Sequence, residues 1–233
     1  IALSCLIGVA AFALRPRWWT EVGPLDRHEL RVTSKEHWRT GKWLLADTVV
    51  YWFGGQMLVI YVAGHLLSAD AVGKITAAMN VVGVANILFL ALENFVPSRA
   101  AHMYAARGRA GLTGYLRRVA YIGGALTLAI VLVTSLFAEF WLNLFYGGAY
   151  AGNGSLVLWW GVYYIFGFLI RPFAYGLRVL GNTRAMFFST ACGALASAVL
   201  SYPLIRLAGM NGAMMAMCGV QTVVAAAMMG FFF

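Results

Sequence analysis

The sequence predicts an all-α polytopic membrane helix bundle, and three observations carry that prediction. Hydrophobic residues make up 62% of the 233 residues and charged residues 11%, too few charges to cover the surface of a water-soluble domain of this size. Mean hydropathy is +0.78, and apolar runs of about twenty residues recur, each long enough to cross a ~30 Å hydrocarbon core as a helix. The runs do not alternate with the period of two that a barrel strand needs, and an open sheet cannot satisfy its backbone in lipid. Helices remain.

Seven spans can be read, at roughly 1–14, 43–66, 71–97, 114–140, 155–178, 184–207 and 211–233. The first, "IALSCLIGVAAFAL", has no methionine, charged n-region or cleavage site, so it does not read as a signal peptide. It reads as an incomplete helix, and the chain stops at "GFFF" still within a span, which together predict a fragment of a longer protein. Residues 15–42 form the one long polar connection. They mix charges with Trp18, Trp19 and Trp38, and Trp43 follows, which suits a linker lying along the headgroups. The linker divides the first helix from a six-helix unit at 43–233.

The basic residues set the orientation. If 15–42 is cytoplasmic, so are 98–113 and 179–183, and that side collects Arg15, Arg17, Arg27, Arg31, Lys35, Arg39, Lys42, Arg99, Arg107, Arg109, Arg117, Arg118, Arg171, Arg178 and Arg184. Lys74 and Arg206 are left for the other face. The bias obeys the positive-inside rule. It also accounts for the net charge of +9 through topology and an anionic inner leaflet, with no nucleic-acid partner.

Polar residues interrupt three of the spans. On 43–66, Asp47, Tyr51, Gly54, Tyr61 and His65 share one stripe at about 100° per residue. On 71–97, Asn80, Gly83, Asn86, Glu93, Asn94 and Pro97 fall within an arc of about 140°. On 155–178, Trp160, Tyr164, Gly167, Arg171, Tyr175 and Arg178 share a face, with Pro172 placed to kink the helix. Ionisable groups in a span are costly and face other helices or a cavity. Asp47, Glu93 and Arg171 all lie at the depth of the inner leaflet. For Glu93, three roles are compatible with that depth: pairing between helices, gating or substrate-site electrostatics, and proton relay. Asp47 adds the stabilisation that a carboxylate gives a helix N-terminus. Arg171 and Arg178 either snorkel to the interface or contact an anionic headgroup. His65 reads as a packed or interfacial histidine. Gly193, Ser197 and Ser201 form a small-residue seam for close packing, and Asn211 and Gln221 read as core residues of the last span.

Motifs for chemistry are missing. Cys5, Cys192 and Cys218 fall in apolar segments and suggest neither a disulfide framework nor a metal site. There is no histidine pair at metal-ligand spacing, no G-x-S-x-G, no Walker motif and no carboxylate pair in a loop. The outer loops "LLSAD", "NLFYGGAYAGNG" and "RLAGMNG" are short. No catalytic residue, no metal and no cofactor is expected, and an enzyme is not.

The stretch from "GKWLLADTVVYWFGGQ" through "AVGKITAAMN" to "LENFVPSRAAHMYAARG" resembles the start of the C-terminal half of bacterial polysaccharide transporters, as do "NLFYGGAY", "RPFAYGLRVLGNTR" and "YPLIRLAGMNGAMMA" further on. These are the Wzx-type lipid-linked oligosaccharide flippases of the multidrug/oligosaccharidyl-lipid/polysaccharide (MOP) superfamily. The likeness covers roughly residues 40–233 and rests on glycine, apolar and loop patterns. It implies two six-helix lobes around a central cavity that opens to either side by rocking. Residues 43–233 would be the second lobe, and 1–14 the last helix of a first lobe that is missing here.

The resemblance further implies a bacterial inner-membrane protein that moves polyprenyl-pyrophosphate-linked oligosaccharide, an O-antigen, lipopolysaccharide or exopolysaccharide unit, from the inner to the outer leaflet. Its partners would be the bilayer, that lipid, the first lobe and the polysaccharide polymerase machinery. Candidates for the cavity are Asp47, Tyr51, Tyr61, Asn80, Asn86, Glu93, Asn94, Arg171 and Arg178, the cations suiting a pyrophosphate. Three other readings compete: a cation-coupled multidrug exporter of the same superfamily, which wants a deeply placed acidic residue; a non-transporting membrane scaffold; and an integral-membrane glycosyltransferase, against which the short outer loops count.

Overall fold

The computed structural model describes residues 27–233, and every element among them is helical. The elements are α1 (Arg27–Gly54), α2 (Gln56–Leu66), α3 (Ala69–Val82), α4 (Ala85–Leu136), α5 (Ala138–Tyr146), a 3-10 turn (Gly147–Tyr150), α6 (Gly154–Val179) and α7 (Thr183–Phe232). Lys42–Phe233 is one compact unit, and everything below concerns it. The span expected at 1–14 and residues 15–26 of the linker lie outside the described residues, and the rest of the linker, read as a polar connection, is helical within α1.

Two helices are hairpins. α4 turns at Gly108 (φ 60°, ψ −155°) and α7 at Gly209 (φ 57°, ψ −130°), backbone conformations that a residue with a Cβ rarely adopts. Chain pairing on either side fixes the reversal. Leu92 lies against Gly123 across the first turn, while Gly193 meets Val220 and Val224 and Gly219 meets Leu200 across the second. Each hairpin therefore has two antiparallel arms of membrane length, and the described residues supply six such arms. Arg99 and Arg107, expected in a loop at 98–113, instead prolong the first arm of α4 as helix up to the turn, and Arg109 opens the second arm just beyond it. That is a correction to the sequence reading: the chain reverses at Gly108 without an intervening loop.

The spans read as continuous at 43–66 and 71–97 are both interrupted. α1 ends at Gly54 and α2 resumes at Gln56. Gly55 between them is non-helical (φ −91°, ψ −125°), and its carbonyl accepts from Ser197 Oγ at 3.2 Å. A backbone group released from a helix inside a membrane needs such a partner. Gly54 allows the close approach that delivers it, since a Cβ there would stand 2.5 Å from the Ala194 Cβ. The second interruption falls at Gly83 and Val84, between α3 and α4, where the backbone stays right-handed helical but tightens to i→i−3 bonds.

α6 is unbroken and packs against α3, α4, α5 and α7. Glu139 of α5 caps it: its carboxylate accepts from Gly154 N at 2.8 Å and Gly152 N at 3.0 Å, placing negative charge at a helix N-terminus. At the other end Gly181 (φ 70°) and Asn182 close α6, donating to Arg178 O and Leu177 O. Asn182 then caps α7 by accepting from Ala185 N. Two apolar clusters hold the bundle. One is built around Trp160, Phe168, Leu142 and Met214, and the other, toward the basic end, around Leu112, Tyr175, Met186 and Phe232.

Candidate functional site

Between the two clusters lies a cavity of about 470 Å³, within the range that small-molecule sites occupy. α6 supplies its main wall. Its unbroken helical phase puts Trp160, Tyr164, Gly167, Arg171, Tyr175 and Arg178 on one face, and all six line the cavity. α1 contributes Asp47 and Tyr51, and α4 contributes Asn86, Phe89 and Glu93. α7 contributes Thr190 and Gln221.

Charge is concentrated at the basic end. Arg171 Nη1 donates to Glu93 Oε2 at 3.0 Å, and Arg178 Nη1 donates to Glu93 Oε1 at 3.1 Å. The three side chains are 27%, 40% and 40% exposed for Arg171, Arg178 and Glu93. One carboxylate thus serves two guanidinium groups, each approaching end-on through a single donor. The Arg171 guanidinium also lies over the Phe89 ring, 4.2 Å from its centroid, a cation–π contact. Arg171 Nε, Tyr175 Oη and Asp47 Oδ1 are buried and make no well-formed hydrogen bond among the described residues, although the Tyr175 hydroxyl faces the Arg171 guanidinium and the Asp47 carboxylate faces Thr190. All three belong to residues of this cavity.

The deeper wall is neutral and polar. Asn86 Nδ2 donates to Tyr164 Oη at 2.8 Å. Tyr163 Oη donates to Gln56 Oε1 at 3.2 Å. Trp160 is fully buried, and its Nε1–H donates to Ile75 O at 2.9 Å, fixing α6 against α3.

Of the residues expected at the site, Asp47, Tyr51, Asn86, Glu93, Arg171 and Arg178 come together on this cavity. Tyr61, Asn80 and Asn94 do not line it. The interruptions explain two of these departures. Gly55 shifts the phase of α2, and Tyr61 is 71% exposed. Gly83 shifts α3 against α4, so that Asn80 donates to Tyr146 Oη of the opposite end, at 3.0 Å. Asn94 bonds back to its own Leu90 carbonyl and faces away with Phe95 and Arg99. Sequence reasoning missed Gln56, Tyr163 and Thr190, and it read Gln221 as core. Gln56 carried a signal, an amide directly after two glycines in an apolar run, but Tyr163 lies off the α6 stripe.

No metal-holding group of histidine, cysteine and carboxylate side chains occurs among the described residues. Cys192 and Cys218 are free thiols, the first exposed and the second buried.

Six apolar arms enclosing a polar, charged cavity define a multi-pass membrane protein of the transporter class. The MatE family model matches residues 46–203, more than half of the chain, and the chain belongs to that family, within the MOP superfamily of transporters. No curated protein and no solved structure matches it.

Proposed function

We propose that this MOP-superfamily transporter flips a polyprenyl-pyrophosphate-linked oligosaccharide from the inner to the outer leaflet of a bacterial inner membrane. The observation that carries the reading is the Arg171–Glu93–Arg178 cluster, in which two guanidinium groups share one carboxylate and keep unspent donors on a cavity wall at the basic end of the bundle. A phosphate diester or pyrophosphate takes such donors in pairs. The aromatic and amide groups deeper in, Trp160, Tyr164, Asn86 and Gln221, suit the faces and hydroxyls of sugars. No group positioned for bond-breaking chemistry is needed.

One observation favours a second reading, a cation-coupled multidrug exporter. Asp47 lies in the same cavity beside Thr190, with one carboxylate oxygen, Oδ1, buried and lacking a partner among the described residues, as an ion-coupling carboxylate would. The two readings separate in vesicles reconstituted with the full-length protein. A flippase moves a fluorescent prenyl-pyrophosphate disaccharide between leaflets, with Arg171→Ala abolishing the movement and Asp47→Asn sparing it. An exporter accumulates an organic-cation dye under an imposed ion gradient and stops with Asp47→Asn. Movement of the dye alone would overturn the flippase reading.

A further inference from the structure

We propose that Glu93 is a displaceable internal counter-ion: it occupies an anion site formed by Arg171 and Arg178, and a phosphate or pyrophosphate group replaces it on binding. The chemical class, a multiply charged phosphate ester, rests on the functional reading above; the displacement itself rests on geometry alone.

The cluster is unbalanced in donors, even though Asp47 of the same cavity balances the second arginine's charge. Two guanidinium groups carry ten N–H donors between them, and Glu93 takes one from each. Arg171 Nε and Tyr175 Oη, one helical turn apart on α6, are buried and make no well-formed hydrogen bond among the described residues, the hydroxyl facing the Arg171 guanidinium. A pyrophosphate brings more oxygens and more charge than one carboxylate, so it can satisfy both arginines bidentately and reach donors that Glu93 leaves idle.

Glu93 is the member free to leave. The two arginines are its only hydrogen-bond partners among the described residues, and it is 40% exposed. Arg171 is held from a second side by Phe89. The two sides of the cluster also come from different helices, Glu93 from α4 and both arginines from α6. Displacement therefore breaks the ionic tie between these helices at the basic end, and departure of the anion restores it. Glu93 sets a threshold on anion affinity and supplies a means of release.

The test is binding of two probes to the full-length protein in nanodiscs of neutral phosphatidylcholine. Farnesyl pyrophosphate reports a lipid-borne headgroup and inorganic pyrophosphate a free one. Removing the competitor by Glu93→Gln is expected to tighten binding about tenfold, the worth of one charge-assisted contact. Arg171→Gln and Arg178→Gln are each expected to weaken it by a similar factor. Unchanged or weaker binding by a folded Glu93→Gln protein overturns the proposal. Should that variant fail to fold, Glu93→Asp, whose shorter arm cannot span both arginines, is expected to tighten binding about threefold, and unchanged or weaker binding overturns the proposal in the same way. If no form binds either probe, the displacement model falls and the flippase reading is left to its transport assay. If Glu93→Gln tightens inorganic pyrophosphate while farnesyl pyrophosphate never binds, the counter-ion stands and the lipid-linked substrate falls.

Discussion

Arg171 and Arg178 carry the same charge but not the same surroundings. Arg171 stacks on Phe89 and buries its Nε, whereas Arg178 is 40% exposed and makes one contact to Glu93. A lysine can replace a point charge but neither the stacking nor the Nε–H. Arg171→Lys is therefore expected to slow transport about tenfold or more and Arg178→Lys only a few-fold, as flipping rates in vesicles would show. Equal losses would mean that charge alone matters. Because the cluster is partly exposed, removing Glu93 costs little stability, at most about 1 kcal/mol. Trp160 is the opposite case, buried and bonded to Ile75 O. Trp160→Phe removes the donor and is expected to cost about 1 kcal/mol, while Trp160→Ala opens a void and costs about 3–5 kcal/mol. Denaturant titration in detergent micelles ranks them, and a Phe variant as unstable as the Ala variant would count against this account.

At the scale of elements, glycine decides where helices break, turn and touch. Gly108 and Gly209 turn the hairpins in conformations that residues with a Cβ rarely adopt, and a Cβ would meet no neighbour at either site. Gly108→Ala and Gly209→Ala are therefore expected to cost about 1–3 kcal/mol through backbone strain alone. Gly54 differs, being limited by contact: the Ala194 Cβ stands where its own Cβ would go. Gly54→Ala is expected to destabilise by about 1–3 kcal/mol, and Ala194→Gly in the same chain to return most of that loss. A double-mutant cycle measures the coupling, and strict additivity would show that α1 and α7 do not meet there. The same approach brings Ser197 to the Gly55 carbonyl, so the small-residue seam read from Gly193, Ser197 and Ser201 does more than allow packing. It satisfies the break in the neighbouring helix.

For the whole molecule, the orientation implied by the basic residues is open to direct test. Arg107→Cys lies beside the α4 turn and Ala149→Cys lies in the 3-10 turn at the opposite end. In a background with the native cysteines replaced, an impermeant maleimide added to intact cells is expected to label Cys at 149 and leave Cys at 107 until the membrane is opened. The reverse pattern would invert the protein, and with it the leaflet at which the arginine cluster meets its substrate.

What the sequence by itself determined is the solvent, the class of element and the chemistry available. Few charges and long apolar runs exclude a water-soluble fold, because backbone groups in lipid must be satisfied within helices. The α6 stripe was legible for the same reason: helical phase survives from Trp160 to Arg178 because nothing interrupts it. Elsewhere, phase was lost where the tertiary structure overrode it. No periodicity could show that Gly55 breaks its helix or that the chain tightens at Gly83, since a broken helix in lipid is tolerated only where a neighbour supplies the missing partner, as Ser197 does for Gly55. Those interruptions turned Tyr61 and Asn80 away from the cavity. Contact between distant helices likewise paired Glu93 with two arginines 78 and 85 residues further along the chain, which no local pattern encodes. The sequence set which charges the membrane must hold; the fold decided which of them meet.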